Sequence, residues 1–121
     1  MGVGEVSVEN NKPTLRDILR LGKLERLVMN YFLKHISAGE IIAIIELREE
    51  IKRLRDPELV PEFDDVIIEL EIGKAINKLL REGFIEYRSG CYNLAKHLRE
   101  ELKKKLGDLK PGFSKNIEEL V

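Results

Sequence analysis

The sequence predicts a mainly helical fold with a small β-sheet (α+β), in the order α-α-β-α-α-β-β-α. Three observations predict it. Five stretches space apolar residues as a helix does. Residues 84–94 alternate in polarity around a Ser-Gly dipeptide, as a hairpin does. The run Ile41–Ile44 is rich in β-branched residues, which suit a strand.

Residues 1–13 show little pattern and read as a flexible N-terminal arm. Thr14 and Asp17 form a capping-box pair after Pro13, and Leu15, Ile18, Leu19 and Leu21 support a short helix. Gly22 breaks it. Leu24, Leu27, Val28, Tyr31 and Phe32 then recur at i, i+3, i+4, i+7 and i+8, which predicts an amphipathic helix ended by Gly39. A short strand follows at 41–44, then a helix over 46–55 with Leu47, Ile51 and Leu54 on one face. The stretch "DPELVPEFDD" is a connector with two prolines.

Next comes the clearest helix, "VIIELEIGKAINKLLREG". Ile68, Ile72, Ile76 and Leu79 share a face with Ala75, and Gly83 takes the position after the helix end. "FIEYRSGCYNL" predicts two paired strands across Ser89-Gly90. Leu94, Leu98, Leu102, Leu106 and Leu109 form the stripe of a further helix, stopped by Pro111-Gly112; Ser114 caps a last turn. The chain divides into the arm, a body over 14–93, and a C-terminal helix and tail over 94–121 that reads as a dimerisation element.

Apolar residues make up 43% of the 121 residues, enough for one modest core. Charged residues make up 36%, and Gln and Trp are absent. Such a composition is common in thermophilic and archaeal-like proteins, where ion-pair networks gain value. The net charge of −1 supplies no global basic field. Its distribution is uneven: residues 56–73 hold seven acidic and no basic residues, whereas residues 74–110 hold ten basic and five acidic ones. The single Cys91 cannot make an internal disulfide, and the longest apolar run, Ile41–Ile45, is too short to span a bilayer. The N-terminus lacks a signal-peptide pattern. A cytoplasmic protein without membrane contact is the expectation.

The segment "IGKAINKLLREGFIEYRSGCYNLA" resembles the third helix, turn and wing of the winged helix-turn-helix superfamily, and the resemblance extends over Leu24 to Leu94. It implies a winged helix whose third helix enters the major groove of double-stranded DNA. The function it implies is DNA binding by a transcription regulator, paired as a homodimer through the C-terminal helix. Lys74, Asn77, Lys78 and Arg81 then face outward, beside Glu69, Glu71 and Gly73. They offer cations for phosphate or guanine and an amide for adenine. Arg88 at the wing tip would touch backbone or minor groove. Lys96, Arg99, Lys103, Lys104 and Lys105 would follow the phosphates. Tyr87 and Tyr92 read as cross-strand packing rather than base stacking.

Other residues oppose DNA. Asp64, Asp65, Glu69 and Glu71 crowd the start of the third helix, where they suit the helix dipole and repel phosphate. They support an alternative: a non-enzymatic protein-interaction module of a replication or transcription assembly. Its contact surfaces would be the acidic block 56–73 and the C-terminal helix, with Leu102, Leu106 and Leu109 meeting a protein partner or a second copy.

The remaining signals are weak. The acidic cluster lacks the glycine-bearing loop of a calcium site. His35, His97 and one cysteine do not make a zinc set. The sequence contains no phosphate loop, dinucleotide fingerprint or nucleophile–base pair. No enzyme activity, metal or cofactor is expected.

Overall fold

The computed structural model describes residues 12–107 and 116–120. Most of the N-terminal arm, Leu109, the Pro111-Gly112 stop and Ser114 lie outside these residues.

A 3₁₀ helix, Leu15–Arg20, opens the described chain and buries Leu15 and Ile18. The predicted cap is present: the Thr14 N–H donates to Asp17 Oδ2 at 2.8 Å. Gly22 ends this turn and caps α1, Lys23–His35. The core face of α1 is Val28, Met29, Phe32 and Leu33. It is rotated slightly from the predicted stripe, so Leu24, Leu27 and Tyr31 are only partly buried.

Strand β1 is Ser37–Gly39, and α2 follows at once as Glu40–Leu54. The strand predicted at 41–44 is therefore a correction: those residues form the first turns of α2. β-propensity reports fit to a half-buried pleated surface more than a backbone preference. Here Ala43, Leu47 and Ile51 recur at i, i+4 and i+8 and are buried as one helical face. The pairing backbone is supplied just upstream by Ser37, Ala38 and Gly39, which lie opposite Asn93, Tyr92 and Cys91.

Helix α3, Asp65–Arg81, buries Ile68, Ile72, Ala75, Ile76 and Leu79, the face predicted for it. Asp64 caps it, accepting from the N–H groups of Val66 and Ile67 at 3.1 and 3.2 Å. Its C-terminus closes with Gly83 at φ +85°: the Phe84 N–H donates to Leu79 O at 2.9 Å and the Gly83 N–H to Leu80 O at 3.3 Å. The chain then reverses into β2, Ile85–Arg88, and β3, Cys91–Leu94. Ser89 and Gly90 both have positive φ, as a two-residue type I′ turn requires. The sheet is antiparallel with order β1-β3-β2.

Helix α4, Lys96–Leu106, carries the leucine stripe. Leu98 and Leu102 are fully buried in the chain's own core, and Leu106 packs against it. Leu102 is thus not offered to a partner, because it is fully enclosed in the chain's own core. A short α5, Ile117–Leu120, docks through the buried Ile117, whose N–H donates to Asn30 Oδ1 at 2.8 Å. Among the described residues no helix is long and apolar enough to cross a membrane.

Candidate interaction surface

Helices α2 and α3 meet along an ion-paired seam. Arg48 donates through Nη1 to Glu69 Oε2 at 2.6 Å and through Nε to Glu49 Oε2 at 2.8 Å. One turn along, Lys52 Nζ lies 2.9 Å from Asp65 Oδ1. The Lys52 hydrogen bond holds the Asp65 carboxyl below the usual carboxylate range. The two contacts fix which side chains flank the seam.

Those flanking side chains are apolar. Ile45 sits three residues before Arg48 and Ile41 seven before it, on one face of α2. Val66 sits three residues before Glu69, and Leu70 one turn beyond Val66. Ile41 is 72% exposed, Val66 71% and Leu70 53%. Among the described residues, the large apolar side chains that face solvent are Ile41, Ile42, Ile45 and Leu54 of α2, Val66 and Leu70 of α3, and Tyr87 of the hairpin. None falls on α1 or α4. Scattered exposed apolar residues are ordinary; a concentration on two adjoining helices marks an interaction site.

The outward stripe of α3 reads Val66, Leu70, Gly73 and Asn77, at spacings of four, three and four. A Cβ added at Gly73 would meet no atom within 4 Å, so the stripe is open there. The hairpin joins this face: the Tyr87 hydroxyl donates to Glu40 Oε1 at 2.9 Å, at the start of α2. That bond is the main cause that raises the Tyr87 pKa above its usual value. Tyr87 and Tyr92 are directly opposite, with ring centroids 5.2 Å apart, as expected of cross-strand packing. On the other flank of α2, a groove of about 640 Å³ is lined by Tyr31, His35, Ile45, Glu46 and Leu54, among others. There the Tyr31 hydroxyl donates to Glu46 Oε1. Burial first, then that bond, raises the Tyr31 pKa well above its usual value.

Of the residues expected to read DNA, three are ion-paired, two stay exposed on α3 and the rest lie on α4. Lys74 pairs with Glu71 at 3.3 Å within α3. Lys78 turns back to Glu25 of α1 at 3.2 Å. Arg88 pairs with Glu86 at 3.5 Å. Asn77 and Arg81 are exposed on α3. Arg99 is partly buried, and its Nε has no hydrogen-bond partner among the described residues. Lys96, Lys103, Lys104 and Lys105 are exposed along α4, away from the outward stripe of α3. The last three suit the negative end of the α4 dipole.

The acidic block is largely neutralised too. Asp56 pairs with Lys23 at 2.5 Å, Asp65 with Lys52, Glu69 with Arg48 and Glu71 with Lys74. Asp64 is committed to its cap. A surface charge defined by the sequence block 56–73 is thus mostly cancelled by cations from α1, α2 and α3.

Reading charge alone missed Ile41, Ile42, Ile45, Val66 and Leu70. A signal was present: with Ile68, Ile72 and Ile76 inward, Val66 and Leu70 project to the opposite side of the helix. Among the described residues, no three His, Cys, Asp or Glu side chains gather as metal ligands.

No curated protein and no solved structure matches the chain. A family model described as PolB1 Binding Protein 2 matches residues 22–100, from the start of α1 into α4. That span contains the three larger helices, the whole sheet and the exposed apolar face, and by this match the chain belongs to the PolB1 Binding Protein 2 family.

Proposed function

We propose that this protein is a non-enzymatic interaction subunit that binds PolB1, a DNA polymerase, and not a transcription regulator. The observation that carries the reading is the composition of the outward face of α3. Where a DNA reader presents free cations and amides from the start of the helix, α3 presents Val66, Leu70 and an open Gly73, with Lys74 and Lys78 paired with Glu71 and Glu25, and exposes Asn77 and Arg81 only towards its C-terminal end. Apolar side chains facing solvent suit a protein surface and gain nothing from phosphate.

The body reads as a winged helix used for docking. The order α1-β1-α2-α3-β2-β3, with β1 paired to β3, supports that reading, as it is the arrangement the superfamily resemblance implies. Fold alone does not decide function, since one scaffold carries many sites. Burial of Leu102 in the chain's own core leaves less of α4 for a homodimer contact.

DNA contact keeps two observations in its favour. Asn77 and Arg81 are exposed on α3. Lys103, Lys104 and Lys105 are exposed and, among the described residues, have no carboxylate partner within salt-bridge distance. Two titrations separate the readings: the protein against PolB1 by calorimetry, and against mixed duplex DNA at two salt concentrations. The expected outcome is saturable one-to-one binding to PolB1 and no salt-sensitive binding to free duplex. Tight duplex binding that falls steeply with salt, without PolB1 binding, would reverse the assignment.

A further inference from the structure

We propose that the α2–α3 face carrying Ile41, Ile45, Val66 and Leu70 is the docking surface, and that its occupant is an apolar segment of PolB1 flanked by lysine or arginine. This rests on the polymerase-binding reading above.

The apolar part follows from the exposure already described. Ile41 and Ile45 of α2 and Val66 and Leu70 of α3 lie on either side of the Arg48–Glu69 and Lys52–Asp65 seam, which is itself charge-neutral. A partner laid across the seam removes both stripes from water together. Gly73 leaves room for a side chain to enter between them. Burial of a central apolar cluster inside a polar rim is the usual anatomy of a protein interface.

The charge of the occupant follows from the rim. Glu40 precedes the isoleucines of α2, and Glu62 precedes Val66. Among the described residues, neither carboxylate lies within salt-bridge distance of a cation; Glu40 accepts from the Tyr87 hydroxyl. Most other carboxylates along α2 and α3 are paired with Lys or Arg. Two carboxylates at the margins of the patch are thus left without a cation, Arg55 at the end of α2 being engaged over the Phe63 ring at 5.3 Å from its centroid, and a partner with Lys or Arg at its margins completes them. The same rim repels nucleic acid from this face.

The test uses the full chain and PolB1, with folding of each variant checked by circular dichroism. Val66→Arg/Leu70→Arg and Ile41→Ser/Ile45→Ser change exposed positions, so the fold is expected to survive. Each should weaken PolB1 binding by at least about thirtyfold, as loss of central interface residues does. Lys103→Glu/Lys104→Glu, on α4, should leave affinity within about twofold. Glu40→Lys/Glu62→Lys should slow association and flatten its salt dependence. Wild-type binding that the arginine and serine pairs leave unchanged overturns this surface while the polymerase reading stands. Absence of wild-type binding to PolB1 overturns both. An unaltered salt dependence in the Glu pair overturns the basic margins. Sedimentation that shows a stable dimer, dissolved by Val66→Arg/Leu70→Arg, assigns the face to a second copy and also overturns the proposal.

Discussion

Gly83 sets the turn between α3 and β2. Its φ of +85° lies in the left-handed region, and it lets the Phe84 N–H reach back to Leu79 O. An alanine there would meet Pro13 Cδ at 3.4 Å, an ordinary contact, so backbone strain and not crowding decides the outcome. Gly83→Ala is expected to lower stability by about 1–2 kcal/mol in a denaturant melt. A core residue behaves differently: Ile72 is completely buried, so Ile72→Ala should cost about 2–5 kcal/mol through lost burial and a cavity. The same scale shows which partners of the α3 cations the sequence reveals. Glu71 lies three residues before Lys74, so that pair is visible in the sequence. The partner of Lys78 is Glu25, on a different helix, and only the packing of α1 on α3 brings it within 3.2 Å.

Among the elements, the hairpin and α3 test how local chemistry fixes the fold. The two-residue turn holds Ser89 at φ +54° and Gly90 at φ +77°. Asn tolerates that first position better than Ser, so Ser89→Asn should stabilise the protein by a few tenths of a kcal/mol, roughly, in thermal or denaturant melts. At the other end of α3, Asp64→Ala removes two accepted N–H bonds and should cost about 1 kcal/mol. The turn was legible in the sequence, as were the inward face of α3 and the helical order, because each depends on neighbours in the chain. The position of β1 was not. A strand of three residues, Ser37–Gly39, has no periodicity of its own and exists because β3 lies beside it. The isoleucine run next to it gave the stronger local signal and belongs to a helix. The apolar face was half legible. Val66 and Leu70 could be placed outward from the spacing, but Ile41 and Ile45 could not, since their element was mistaken. That both stripes flank one seam depends on Arg48–Glu69, a pair of residues 21 apart in the chain.

For the whole molecule, the charge balance governs behaviour toward acid. The net charge is −1, yet most charges along α2 and α3 are paired across or within helices, so little field extends beyond the surface. Two of these pairs carry a pH dependence. Asp65 is held below its usual range by the Lys52 hydrogen bond, and Asp56 by the Lys23 hydrogen bond. A carboxyl whose pKa is lower folded than unfolded stabilises the fold above the unfolded value, about 3.9, and loses that contribution as pH falls through the lowered folded value. Tm should therefore be nearly flat from about pH 7 to pH 5 and fall below about pH 4. Lys52→Met removes the partner of Asp65 and returns its carboxyl toward the usual range. At neutral pH the variant should melt slightly below wild type, by no more than about 3 °C, because the pair is solvent-exposed. Between about pH 4 and pH 2 the wild type should lose that advantage, and the two melting curves should converge. A constant gap across the acid range would mean that Lys52 acts through the packing of its side-chain stem and not through the charge of Asp65. High salt at neutral pH offers the second check: screening should narrow the same gap without any change of protonation.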